Sequence, residues 1–223
     1  MMDRYSRLLD LSSFSKDKLA TLQGKKILIF GAGGVGQHIV TYLITNGIRN
    51  LTIVDFDKVE LSNLNRQILL TEEDVGKYKV DVVKKALEKK NSTANLESIN
   101  LKVDKNNIDQ IKGNYDYIVD AVDNWPTRLV ISKFAKEKQI PLLHVGVDSF
   151  KGQYCLFEKK SLLDVVNEDI VNEPRDGVMG PMVGLVSSMA ATFLIEYIVG
   201  DVKESDTIFY VDFKDFNFVK VKL

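Results

Sequence analysis

Cysteine is almost absent from this chain of 223 residues: Cys155 stands alone. That excludes an internal disulfide framework and any zinc site built from cysteines. An excess of either charge is also lacking, with 30 Lys and Arg against 31 Asp and Glu and a net charge of -1. Bulk attraction to nucleic acid or to anionic lipid is therefore not expected. Hydrophobic residues at 45% and charged residues at 27% exclude the disordered and fibrous classes. No repeat, low-complexity stretch or linker breaks the chain, which reads as one domain over 1–223. Its opening, MMDRYSRLLD, is too charged for a signal peptide. The stretch 182–199 has only Glu196 charged, but Ser187, Ser188 and Thr192 dilute it and Gly200-Asp201 follow. It reads as a buried core helix rather than a membrane span. A soluble cytoplasmic protein is the expectation, without a membrane partner.

Short apolar runs alternate with helical patterns. KILIF at 26–30 ends in glycine and predicts a fully buried strand, and LTIVD at 51–55 and DYIVDAV at 116–122 predict two more. Helices are expected over 34–45, stopped by Asn46-Gly47, and over 79–90, where Val80, Val83 and Leu87 share one face. Residues 96–103 alternate weakly as a strand. Pro126 opens a further helix, and strands follow at 141–147 and 153–157. The order implies an α/β, Rossmann-like fold: a mostly parallel sheet flanked by helices. The tail TIFYVDFKDFNFVKVKL alternates on either side of Lys214-Asp215 and predicts an antiparallel C-terminal hairpin. Two polar connections, 56–78 and 161–177, are long enough to suggest function.

Gly31, Gly33 and Gly36 of GAGGVG spell G-x-G-x-x-G between a strand and a helix. Such a turn admits a phosphate at the helix start, although glycine also serves packing alone. Asp55 ends the next strand, where an acid would hold ribose hydroxyls. The loop FDKVELSNLNRQ then gathers Asn63, Arg66 and Gln67, with Lys79 beyond it. Hydride transfer has no use for such a cluster, whereas a triphosphate does, because fixed cations offset charge on its oxygens. By spacing alone, Arg66 and Lys79 are equally readable as solvated surface cations. Asp123 and Asn124 follow the third strand. An acid there suits Mg²⁺ beside phosphate oxygens, and either residue would also serve as an N-cap.

RYSRLL, GAGGVG, LTIVDFDKVELSNLNRQ, VGKYKV, DAVDN and GVMGPMVGLVSSMAA together resemble the ThiF/MoeB/HesA family, relatives of the ubiquitin-activating enzymes. The resemblance implies ATP-dependent adenylation of a C-terminal carboxylate, in that family usually of a small β-grasp sulfur-carrier protein ending in Gly-Gly, as in thiamine or molybdopterin synthesis. It implies that Asp55 holds the ATP ribose. Asn63, Arg66, Gln67 and Lys79 would surround the phosphates, and Asp123 would bind Mg²⁺. Gly31, Gly33, Gly34, Gly36, Asp57 and Asn124 would complete the nucleotide site. Arg7 would reach into the site of a partner subunit, which implies a symmetric homodimer with two composite sites. An ionised carboxylate needs no general base, so His38 and His144 read as packing residues.

The chain departs from the family where many relatives carry zinc-binding cysteine pairs. EKKSLLD follows 153–157 and the tail holds no cysteine, so no zinc is expected. The loop VVNEDIVNEPRDG also lacks the cysteine that many relatives use for a thioester or sulfur linkage. Cys155, inside QYCLF, reads as a buried thiol. Glu168, Asp169, Glu173 and Asp176 make that loop either a substrate lid or a solvated connection. Alternatives to a carrier substrate are a ribosomally made peptide, adenylated at its C-terminus, and a non-catalytic pseudo-enzyme subunit. A tRNA substrate fits poorly with the charge balance, and an NAD-dependent oxidoreductase has only the glycine turn behind it.

Overall fold

A computed structural model describes residues 4–167, 169–171 and 177–223. Six helices, α1 (Ser6–Leu9), α2 (Lys16–Gly24), α3 (Gly34–Thr45), α4 (Lys79–Lys90), α5 (Trp125–Lys138) and α6 (Gly180–Ile198), surround one sheet. Its strands are β1 (Lys26–Phe30), β2 (Asn50–Asp55), β3 (Asn95–Asn100), β4 (Tyr117–Asp120), β5 (Leu142–Asp148), β6 (Lys151–Phe157), β7 (Thr207–Asp212) and β8 (Asn217–Lys222). They run in the order β3-β2-β1-β4-β5-β6-β7-β8.

β1 shows why the apolar runs become strands. Side chains alternate across a strand, so Ile27 and Ile29 enter one core while Leu28 and Phe30 enter the other. The first core also takes Leu19 and Leu22 of α2, Ile39 and Leu43 of α3, Val83 and Leu87 of α4, and Val186 and Leu194 of α6. The second takes Ile131, Phe134 and Ala135 of α5. A strand covered on both faces has no polar side, which is why 26–30 reads as continuous apolar sequence.

β3, β2, β1, β4 and β5 pair in parallel. From β5 onward every strand-to-strand pairing is antiparallel, so the antiparallel part includes β6 as well as the expected hairpin. A connection of only two residues, Ser149 and Phe150, joins β5 to β6, too short for a parallel crossover. β7 and β8 turn about Lys214-Asp215 as expected. The helices at 34–45 and 79–90 stand at the expected bounds. The strand expected over 96–103 stops at Asn100. α1 and α2 are helices that apolar periodicity missed: α1 is one turn with no buried residue, and α2 is short with only Leu19 and Leu22 buried. Its signal is the N-cap, where the Ser15 side chain accepts from the Lys18 N–H.

α6 is long and apolar enough to cross a membrane by length and composition. It packs instead against α3, β5 and β6, and a Cβ added at Gly184 would meet the His38 ring at 3.3 Å. The core-helix reading accounts for it.

The chain leaves β1 toward β2 and β3, then returns to place β4 on the other side of β1. Open α/β sheets form a ligand crevice at such a switch, outside the carboxyl ends of the strands.

Candidate functional site

A cleft of 610 Å³ opens at that switch point. Its walls include Gly31, Gly33, Gly34, Asp55, Asp57, Asn63, Arg66, Gln67, Lys79, Asp123 and Asn124, so every expected nucleotide-site residue lines it except Gly36. Gly36 lies behind the turn. A Cβ there would overlap the Gly31 carbonyl oxygen, so α3 approaches the end of β1 as closely as it does only because Gly36 has no side chain. Gly31 takes φ +101°, and its own Cβ would sit 2.6 Å from the Ala121 carbonyl oxygen. Gly33 caps α3 without a side-chain hydrogen bond, so the first N–H groups of a 12-residue helix face the cleft uncapped.

Two acids link this turn to Lys79. Asp55 Oδ2 accepts from the Ala32 N–H at 2.6 Å and Oδ1 from the Asp57 N–H at 2.8 Å. Burial raises the Asp55 carboxyl above its ordinary value, against the lowering effect of those two N–H groups and of Lys79. Asp57 Oδ2 in turn accepts from Lys79 Nζ at 2.8 Å, with the lysine side chain 8% exposed and the aspartate 47%. Lys79 opens α4, where the helix dipole disfavours a cation. It stands at the cleft wall beside Asp57, near enough to Asp55 to act on that carboxyl as well.

The 56–78 connection folds onto itself. Asn63 Oδ1 accepts from the Glu60 N–H at 3.1 Å and closes the turn Leu61–Asn63. Arg66 Nη1 donates to the Ser62 carbonyl at 3.0 Å and to Asn65 Oδ1 at 2.9 Å. Gln67 is buried and accepts from Gln37 Nε2 at 3.3 Å. Gln37 was not singled out by the sequence reading, yet it fastens this loop to the glycine turn: Nε2 donates to the Ala32 carbonyl at 2.8 Å and Oε1 accepts from the Leu69 N–H at 2.9 Å. An amide on the buried face of α3 was the available signal. A Cβ at Gly180 would overlap the Asn65 carbonyl oxygen, so the start of α6 leans on the same loop.

At the end of β4 the roles of the two neighbours separate. Asn124 Oδ1 accepts from the Thr127 N–H at 3.0 Å and caps α5, while Nδ2 reaches Asp123 Oδ1 at 3.4 Å. Asp123 is exposed to the cleft. Among the described residues no three His, Cys, Asp or Glu side chains group to hold a metal. A single open carboxylate fits Mg²⁺ that keeps water and phosphate oxygens as its other ligands, not an all-protein cage.

Arg128 is the cleft residue the sequence reading passed over, although it ends the DNWPTR run. It is buried with Asp120 and His144. Arg128 Nη1 lies 3.3 Å from Asp120 Oδ2, and Nη2 donates to the Val122 carbonyl at 2.6 Å. His144 touches both neighbours: its Nδ1 lies 2.8 Å from Asp120 Oδ2 and 2.8 Å from Arg128 Nη1, and its Nε2 lies 3.3 Å from the same Arg128 nitrogen. Burial, then the Arg128 charge, push the His144 imidazole below its ordinary range. Asp120 lies below the carboxylate range because Arg128 and His144 outweigh its burial.

Other expected residues lie apart from the cleft. Arg7 on α1 has a 92% exposed side chain and pairs with Asp10 at 3.6 Å. His38 packs under the glycine turn, with Nδ1 at 2.8 Å from the Gly34 carbonyl oxygen. Cys155 is buried, and burial pushes its thiol up to about 12, which leaves no thiolate for attack. Of the acidic loop, Asp169 is exposed, while Glu168, Glu173 and Asp176 lie outside the described residues.

The sequence profile of the ThiF family matches residues 5–223. The SAMP-activating enzyme E1 of Haloferax volcanii is 30% identical over 99% of this chain and 84% of its own length. The molybdopterin-synthase adenylyltransferase of Haemophilus influenzae is 32% identical over 84% of this chain and 80% of its own. Among solved structures, E. coli MccB with ATP superposes with a TM-score of 0.85 at 23% identity, covering 100% of this chain and 72% of that one. E. coli MccB with AMPCPP and MccA superposes with a TM-score of 0.86 at the same identity, covering 99% and 71%. At that identity the likeness is one of fold.

Proposed function

This chain belongs to the ThiF family, and from that membership we propose its reaction: it is an ATP-dependent adenylyltransferase that activates the C-terminal carboxylate of a small protein or peptide. The observation that carries the proposal is the convergence of the glycine turn, Arg66, Lys79 and Asp123 on one cleft. Asp55 is assigned the ribose hydroxyls. Asn63, Arg66, Gln67 and Lys79 surround the phosphates, with Arg66 turning from Ser62 and Asn65 to present its fork to two oxygens. Asp123 would hold Mg²⁺. When bound, that ion supplies positive charge against the phosphate oxygens.

The acceptor carboxylate, with a reference pKa of about 3.5, arrives ionised. One of its oxygens attacks the α-phosphorus, the bond to the bridging oxygen breaks, and pyrophosphate leaves with the electron pair. No proton has to be removed, so the protein's work is to align two anions and offset their repulsion. Arg7, exposed on α1, is assigned to the site of a second copy in a symmetric dimer.

Two acceptor classes have support. A short ribosomally made peptide is favoured by the likeness in fold to MccB in complex with MccA, and by the lack of the zinc and loop cysteines. A Gly-Gly carrier, the narrower expectation, is favoured by the 30% and 32% identities to the SAMP-activating enzyme and the molybdopterin-synthase adenylyltransferase. The test is ATP–pyrophosphate exchange with Mg²⁺, run separately with a β-grasp carrier ending in Gly-Gly and with free peptides. Exchange that needs the acceptor's terminal carboxylate establishes the reaction, and the acceptor that supports it names the class. Tight NADH binding without ATP binding overturns the proposal.

A further inference from the structure

Asp123 has little to hold it in place: it is exposed, and its side-chain hydrogen bond is the long one from Asn124. The residue before it is held at both backbone polar atoms. The Val122 N–H donates to Asp120 Oδ1 at 3.2 Å, and the Val122 carbonyl accepts from Arg128 Nη2 at 2.6 Å. Those two charged side chains are buried against the second core, where an ion pair is costly unless every lone pair and proton finds a partner. Several partners are present. Arg128 Nη1 also donates to the Val145 carbonyl at 3.1 Å, and His144 on β5 completes the set with its hydrogen bond to Asp120. The Trp125 ring stacks on His144 at 6.4 Å and lies 5.6 Å from the Arg128 guanidinium. The cluster thus spans β4, the start of α5 and β5, and the one open backbone segment it grips leads into Asp123.

We propose that Asp120, Arg128 and His144 are positioning residues for adenylation, fixing Val122 so that the Asp123 carboxylate stands where Mg²⁺ on the ATP phosphates can reach it. The inference deepens the function proposed above and rests on its assignment of Asp123. A cluster that merely stabilised the fold would lower the melting temperature and leave metal dependence alone. A positioning cluster governs the metal specifically, as outer partners of metal ligands do.

The test reads the metal without turnover. Mg²⁺ is titrated at fixed ATP while following the fluorescence of Trp125, the chain's single tryptophan, and calorimetry gives ATP affinity in EDTA. His144→Leu keeps the Asp120–Arg128 pair but removes the histidine donor. Arg128→Lys keeps the charge but loses the fork. Each is expected to raise the Mg²⁺ midpoint about tenfold or more, and His144→Leu, at a residue outside the cleft lining, leaves metal-free ATP affinity unchanged. His144→Gln restores a donor and returns the midpoint toward that of the parent. Folded His144→Leu and Arg128→Lys proteins with the parent's midpoint overturn the proposal, provided Asp123→Asn raises it. If Asp123→Asn leaves the midpoint where it was, the assignment of Asp123 itself falls and takes the inference with it.

Discussion

Lys79 is the residue on which the proposed chemistry leans most. It is buried, it stands at the unfavourable end of α4, and its one carboxylate partner is half exposed. Lys79→Ala is expected to lower ATP–pyrophosphate exchange by about 100-fold or more, as loss of a fixed charge-stabilising group does, while circular dichroism shows the fold intact. Cys155→Ala, by contrast, is expected to leave exchange unchanged, and the parent thiol should react with a thiol reagent only after denaturant is added. The motif residues were readable because glycine, aspartate and lysine at fixed spacing between apolar runs carry their meaning locally. Gln37, Arg128 and the partnership of His144 were not, since each depends on what another element brings across a gap. His144 is buried as a packing residue would be, and its side chain completes a charged cluster.

The elements themselves were largely written in periodicity. Strands buried on both faces and two amphipathic helices appeared where expected, because burial imposes its pattern directly on the sequence. The antiparallel turn from β5 to β6 escaped, since pairing direction follows from the length of a connection that apolar runs do not show. α2 escaped because two buried leucines make too short a period. The packing of α3 against β1 gives an element-scale prediction. Gly36→Ala sets a methyl against backbone, and overpacking of this kind costs about 1–3 kcal/mol or more. It should lower the melting temperature and ATP binding together. Asn124→Ala removes the cap of α5 and is expected to cost about 1 kcal/mol, read as a lower urea midpoint with an unchanged slope.

Across the whole molecule, acid should act through the cluster beneath the cleft. His144, facing Asp120 and Arg128, has a folded-state pKa below its ordinary 6.5, so the unfolded chain binds the extra proton more readily. Stability is therefore expected to fall as pH drops below 6.5, down to the depressed folded value. Asp120, also depressed, adds a loss at pH below 3.8 as it is protonated. Urea unfolding from pH 7 to pH 5 tests the first: a flatter pH profile is expected for His144→Gln. The chain of contacts from the Ala32 N–H through Asp55 and Asp57 to Lys79 has a consequence for how the cleft meets a nucleotide. Lys79 already carries its own counter-ion, so a nucleotide exchanges one anion for another there and does not neutralise a bare cation. Affinity should then depend less steeply on ionic strength than the number of basic groups in the cleft suggests, and Asp57→Asn should steepen it.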